Sequence, residues 1–275
     1  MSAYNALDND NNDDILVQTE FVTLANGHRI PQTSPSPLLL QLQQACQTGS
    51  LPETEQILGK ITPLPVGPIP VKAHVALQEC LRTAVAEHHR DVVRALLQRP
   101  GGLLSSNLSG LGVNTAFHAH DTATLKVFID CGWDVNESGR EADSMRPLLR
   151  HALDDADLRT FLLAHGASPN VADIRGVTAL ETAVQFSELD VVRELLQHGG
   201  DPSTDDSLIL AAELGRLDVA ELLLKNGADV NASLKTLPQP FNQRSQKTAL
   251  KAAMEGDHHH MVQWLKANGA TAGCG

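Results

Sequence analysis

Five of the twelve histidines in this 275-residue chain, His88, His89, His118, His120 and His151, lie close in sequence to Asp121, Arg150, Asp154 and Asp155. Imidazole beside carboxylate can move protons near neutral pH or hold a metal ion, provided that the groups converge in space. Zinc, bound tetrahedrally at about 2 Å per ligand, needs two or three such side chains within about 3 to 4 Å of one another. A notch lined by His88, His120 and His151, with Asp121 at hand, could meet that demand and would make the chain a small-molecule or metal-dependent enzyme. A separate run, His258-His259-His260, would hold nickel on a column without implying a native site.

Other chemistry is not written in short motifs. There is no G-x-S-x-G, H-E-x-x-H, phosphate-loop or dinucleotide glycine pattern, and no nucleophile stands at a defined spacing from a base. Cys46, Cys80, Cys131 and Cys274 are far apart, without a C-x-x-C pair or zinc-ligand spacing, and read as reduced thiols. No cofactor and no bound metal are expected. The net charge of -12 works against nucleic acid and anionic membranes, which both call for a clustered positive surface. With no charged-then-apolar leader and no apolar run near bilayer length, the expected compartment is the cytoplasm, with the nucleus reachable by diffusion. The expected state is a monomer.

Short helices must position whatever these residues do. Asp205 to Ala232, DDSLILAAELGRLDVAELLLKNGADVNA, reads as one complete unit. Leu208, Leu210, Ala211 and Ala212 share a face of a first helix that Gly215 closes. Asp218 then opens a second helix carrying Val219, Ala220, Leu222, Leu223 and Leu224, and Gly227 caps it. Two helices this short cannot bury their apolar faces alone, so the unit requires like neighbours on each side. Those neighbours recur. Leu208 to Gly227, Leu180 to Gly199, Leu250 to Gly269 and Leu81 to Pro100 each span nineteen residues, and Leu148 to Gly166 spans eighteen. Phe117 to Gly132 spans fifteen, which predicts a third unit whose first helix is shorter by about one turn. Leu42 to Leu58 makes an opening copy, for seven units in all. Low aromatic content, 3%, suits alanine- and leucine-rich helix pairs.

Over residues 38–271 the chain resembles the ankyrin-repeat family. Thr178-Ala179-Leu180-Glu181, Thr115-Ala116-Phe117-His118 and Thr248-Ala249-Leu250-Lys251 are similar to its T-P-L-H, and Gly227-Ala228-Asp229-Val230-Asn231 matches its G-A-D-V-N. Gly132-Trp133-Asp134-Val135-Asn136 and Gly166-Ala167-Ser168-Pro169-Asn170 are weaker versions. The first four units depart most, keeping T-P-L-H only as Arg146-Pro147-Leu148-Leu149 or losing it. The resemblance implies an all-α solenoid of stacked antiparallel helix pairs that serves as a protein-protein interaction module or adaptor and binds a partner protein through its concave face.

In such an array the two positions before the internal glycine, together with the turns, line the binding groove. Gln185 with Phe186, Glu213 with Leu214, and Glu255 occupy those positions, and Arg175 and Phe241 lie on the turns. Phe186 and Leu214 read either as an apolar anchor pair with an acidic rim or as core residues buried by shifted, degenerate repeats. The resemblance also assigns His89 and His258, after the internal glycine, and His118, ending T-P-L-H, to backbone hydrogen bonds. Equivalent positions on stacked helices lie roughly 10 Å apart, so the His-lined notch depends on the shortened third unit.

Residues 1–14 are acidic and polar, with little to bury. Ile15 to Ile30, with Asn26-Gly27 as turn former, predicts a hairpin or strand capping the first repeat, stopped by Pro31, Pro35 and Pro37. The expected division is therefore an N-terminal extension at 1–37, the repeat domain at 38–271 and a tail at 272–275. Ile61 to Lys72, Gly101 to Gly112 and Leu234 to Lys247 are expected connectors.

Overall fold

Ser36 accepts the Leu39 amide at 3.1 Å and Pro37 fills the first helical turn, which together start α1, Pro37–Thr48; Gly49, left-handed at φ 73°, ends it. The computed structural model describes residues 17–23, 29–61, 71–98, 109–137, 147–173, 175–233 and 247–271. Among them such helices recur in pairs, distributed over two units, Met1–Trp133 and Asp134–Gly275.

In the first unit α1 pairs with α2, Leu51–Ile61; α3, Val71–Ala86, with α4, Arg90–Gln98; and α5, Ser109–His118, with α6, Thr122–Asp130. The helices α1, α3 and α5 stack in one row and α2, α4 and α6 in another. Leu42, Leu81, Leu96, Leu125 and Phe128 are fully buried between them. Ahead of α1 a hairpin joins β1, Val17–Thr23, to β2, Arg29–Pro35, antiparallel. The expected stop at Pro31 and Pro35 is wrong: both pair within β2, opposite Phe21 and Val17. A two-stranded ribbon is all edge, and an edge strand tolerates proline wherever the missing N–H would have pointed away from its partner. Residues 1–14, Asn26-Gly27, the connector interiors at 62–70, 101–108 and 234–246, Phe241 and Cys274 lie outside the described residues.

The third pair corrects the expectation of a shortened helix. The helix α5 starts at Ser109, so the last four residues of the expected connector Gly101 to Gly112 are helical. Thr115 sits inside α5 with its hydroxyl turned back to the Leu111 carbonyl at 2.8 Å, so Thr115-Ala116-Phe117-His118 is not a helix start. Val113, fully buried, takes the leading place, and Val113 to Gly132 spans the regular nineteen residues. Gly112 belongs in the helix for a packing reason. A Cβ there would come within 2.9 Å of the Phe128 ring and 3.2 Å of Leu81.

The second unit begins with a 3-10 turn, Leu148–His151, and α7, Ala156–Ala164. It continues through α8, Ala179–Phe186; α9, Leu189–Gln197; α10, Ser207–Glu213; α11, Leu217–Lys225; α12, Ala249–Glu255; and α13, His259–Ala267. The 3-10 turn, α8, α10 and α12 form one row, while α9 packs on α11 behind it. Thr178 and Glu181 form a reciprocal capping box: the Thr178 hydroxyl accepts the Glu181 amide at 3.0 Å and the Glu181 carboxylate accepts the Thr178 amide at 2.7 Å. The helix α11 ends in a Schellman closure, with Gly227 at φ 99°, its amide bonded to Leu224 and the Ala228 amide to Leu223, each at 3.1 Å.

Asparagine side chains tie consecutive turns of the second unit together. The Asn136 amide group donates to the Gly166 carbonyl at 2.9 Å and accepts from the Ser168 amide at 2.7 Å. Asn170 does the same to Gly199 and Asp201, both at 2.8 Å, and Asn231 to Gly269 and Thr271, at 3.2 and 2.8 Å. At the matching place Ser203 bonds its own turn, its hydroxyl donating to Asp201 at 2.6 Å. A serine lacks the amide group that donates and accepts at once between turns. Ser203→Asn should therefore add a rung to the Gly227 carbonyl and Asp229 amide and stabilise the chain by about 1 kcal/mol, read as a raised urea midpoint at constant slope. An unchanged or lowered midpoint would show that the fifth and sixth turns do not share the spacing of the others.

Candidate partner-binding surface

In five of the pairs the loop between the two helices places one residue in a left-handed conformation, and in four of these the next residue grips the preceding pair. Gly49, His88 (φ 59°) and His120 (φ 53°) take the left-handed place in the first unit, and Gly215 (φ 67°) and Asp257 (φ 54°) in the second. After them, His89 Nε2 bonds the Gln47 carbonyl at 3.1 Å, Arg216 donates to the Val184 carbonyl at 2.7 Å, and His258 Nε2 bonds the Glu213 carbonyl at 2.9 Å. Gly215 is required twice over. Its φ disfavours a side chain, and a Cβ would stand 2.5 Å from the His258 ring. His89 and His258 thus bond backbone, as the resemblance implies, but that of the preceding repeat.

Asp121 fills the gripping position of the third pair. It caps α6 by accepting the Thr124 amide at 2.9 Å and hydroxyl at 2.8 Å, and it also binds His88 Nδ1 at 2.6 Å and Arg90 at 3.1 Å. Burial alone would raise its carboxyl, but the bonds from His88, Thr124 and Arg90 outweigh that and hold it well below the usual carboxylate range.

Of the His-lined notch, the structure brings His88 against Asp121 at 2.6 Å, but as a structural contact: His88 and His120 are left-handed helix terminators, and Asp121 is committed as a cap. His118 ends α5 edge-on to Phe117, with ring centroids 6.0 Å apart. Among the described residues no group of three or more His, Cys, Asp or Glu side chains is placed to hold a metal ion. The shortened third helix on which the notch depended is not formed.

The helix ends of the second unit look different. Phe186, the last residue of α8, is 71% exposed, and Leu214, just past α10, is 44% exposed. Their neighbours Ala183, Val184, Ala211 and Ala212 are fully buried. The two repeats are therefore in register here, and shifted packing does not bury Phe186 or Leu214. Gln185, Glu213 and Glu255 are exposed around them. The sequence reading missed Lys247, whose ammonium lies 3.1 Å from Glu213 and 3.2 Å from Glu255. Burial alone would lower the Lys247 pKa, but the two carboxylates outweigh it and raise it.

The turns contribute unevenly. Arg175 is exposed, with its guanidinium 3.2 Å from Asp173, which also receives Arg150 at 2.7 Å. Asp205 and Asp206 are used internally: Asp205 accepts the Thr178 hydroxyl at 3.0 Å and the Asp206 amide donates to Glu181 at 3.2 Å. Burial pushes the Glu181 and Asp205 carboxyls up. Met254 is 55% exposed, but the aligned Val184 and Ala212 are buried, so its exposure reflects the place of α12 at the end of its row.

A family model described as ankyrin repeats (3 copies) matches residues 113–206 and 148–233. Residues 113–233 are therefore ankyrin repeats. The match opens at Val113, the residue that heads the third pair. The ankyrin pairs α1/α2, α3/α4 and α12/α13 fall outside it and are assigned by their geometry. Ankyrin repeat domain-containing protein 63 of Homo sapiens is 34% identical over 125 residues, 42% of this chain and 32% of that protein. Its Mus musculus namesake is 34% identical over 110 residues, 38% of this chain and 27% of that protein. Glycerophosphocholine phosphodiesterase gde1 of Schizosaccharomyces pombe is 34% identical over 76 residues, 26% of this chain but only 7% of that protein. The aligned stretch thus spans about a third or less of each relative. Ankyrin repeats generally mediate protein-protein interaction. Among the described residues no helix is long and apolar enough to cross a membrane.

Proposed function

We propose that this ankyrin-repeat chain binds a partner protein through the first-helix ends and turns of its second unit, the concave side that the family resemblance implies. Phe186 and Leu214 act as anchors, with Gln185, Glu213, Glu255 and Arg175 around them. The observation that carries the reading is the exposure of two large apolar side chains, 71% and 44%, at aligned positions of adjacent repeats whose neighbours are fully buried. Apolar anchors beside polar rims are where interfaces concentrate their energy. The net charge of -12 favours a protein partner over nucleic acid or an anionic membrane. We infer further a monomer working in a reducing compartment, the cytoplasm or the nucleus, which the free thiols of Cys46, Cys80 and Cys131 support.

The test is affinity capture from the native host cell with the wild-type chain, followed by titration of the co-purifying protein. Phe186→Ala combined with Leu214→Ala should weaken binding by at least about 2 kcal/mol, roughly thirtyfold, with the melting temperature nearly unchanged. Unfolding of the double variant, or undiminished affinity, would move the binding face elsewhere.

A further inference from the structure

We infer that the segment received by this surface is basic as well as apolar: a stretch of the partner that seats an aliphatic or aromatic side chain against Phe186 and Leu214 and a lysine or arginine against Glu213 and Glu255. The inference rests on the proposed surface and adds the chemistry of its occupant. Glu213 and Glu255 come from successive first helices, α10 and α12, and both carboxylates approach one ammonium group, that of Lys247. The chain's own lysine thus shows that this pair of carboxylates can hold a cation. The pair is not saturated. One positive charge faces two negative ones, and the Glu213 and Glu255 side chains remain 50% and 51% exposed. A carboxylate has lone-pair positions for more than one donor, and an arginine fork or a second ammonium can use those that Lys247 leaves open.

Position joins the two halves of the site. Glu213 directly precedes Leu214 in the same turn, and Gln185 directly precedes Phe186 one repeat earlier. A segment crossing the two repeats therefore meets apolar, acidic, apolar in succession. An acidic segment would bring like charge against Glu213 and Glu255 within a chain already at -12. A purely apolar one would cover the two carboxylates without pairing them, which costs free energy.

The test pans a displayed library of random twelve-residue peptides on the full chain at about 0.15 M salt, where weak surface charge effects are screened. Recovered peptides are expected to combine Lys or Arg with Leu, Ile, Phe or Met. Their affinity should fall at least about tenfold with Phe186→Ala and about threefold or more when Glu213→Gln and Glu255→Gln are combined. Lys247→Gln, which frees both carboxylates, should tighten binding about threefold, and Lys247→Arg should leave it near the wild-type value. A library that yields no binder, recovered peptides without basic enrichment, or weaker binding by Lys247→Gln would each overturn the inference. Peptides that need Phe186 and Leu214 but ignore the glutamates overturn it while leaving the proposed surface standing. Peptides indifferent to Phe186 and Leu214 overturn both.

Discussion

Leu223→Ala is expected to destabilise the second unit by about 2 to 5 kcal/mol, the range for removing a fully buried leucine from a core that cannot collapse around the gap. Leu223 is buried completely in α11, which packs on both α9 and α10. It belongs to a column that recurs near the C-terminal end of the second helices α4, α6, α7, α9, α11 and α13. Leu162, Leu195, Leu223 and Leu265 in the second unit are all 0% exposed, as are Leu96 and Phe128 in the first. The Schellman closure fixes the backbone at this point, since the Leu223 carbonyl receives the Ala228 amide. Relaxation of the main chain into the cavity is correspondingly limited. In a repeat array the loss is felt at each interface the helix makes, because stability is carried by nearest neighbours. Leu222→Ala, on the partly exposed side of the same helix, should cost only about 1 kcal/mol. Urea unfolding followed by circular dichroism and by Trp264 fluorescence in a Trp133→Phe background reads both variants. Equal shifts for Leu222→Ala and Leu223→Ala would contradict the buried column.

That column was legible in the sequence, because apolar residues at a constant distance from a capping glycine need only counting. The exposure of Phe186 and Leu214 was legible only in part: counting placed them at a nominally exposed position, but burial by shifted repeats remained open until packing showed Ala183, Val184, Ala211 and Ala212 buried in register. The third pair was not. Thr115 followed by Ala116 and Phe117 has the composition of a helix start, and only tertiary packing decides otherwise, by placing the Phe128 ring where a Cβ of Gly112 would stand. A glycine that admits a neighbouring ring and one that ends a helix look alike in a string of letters.

The histidines misled for a related reason. His88 and His120 occupy the column of Gly49, Gly215 and Asp257, whose shared property is a backbone angle. Histidine is among the non-glycine residues enriched in that conformation, so a stricter alignment would have flagged them as terminators rather than ligands. No local pattern could have revealed Lys247. It reaches Glu213 from 34 positions away, across a stretch of chain whose length the repeat does not specify.

Asp121→Ala should cost the first unit about 2 to 4 kcal/mol, because one side chain caps α6 and joins the second pair to the third. Its carboxylate is only 6% exposed and collects bonds from His88, Arg90 and both Thr124 donors. Alanine removes the cap and leaves the buried Thr124 donors facing an apolar methyl. Asp121→Asn keeps an uncharged acceptor and should lose about half as much. The pH dependence has a definite sign. The folded-state pKa of Asp121 is depressed, so its stabilisation is present above the ordinary carboxylate value, about pH 4, and is lost as pH falls below it. Glu181 and Asp205 in the second unit behave in the opposite sense. Burial raises them, so their ionised forms are disfavoured near neutrality and acid relieves that penalty. Acid should therefore weaken the first unit before the second, with hydrogen exchange rising earlier in α4 and α6 than in α8 and α10. Asp121→Ala should already show the weakened first unit at pH 7 and respond less to acid. Parallel loss of protection in wild type and Asp121→Ala between pH 5 and pH 3 would place the acid sensitivity elsewhere.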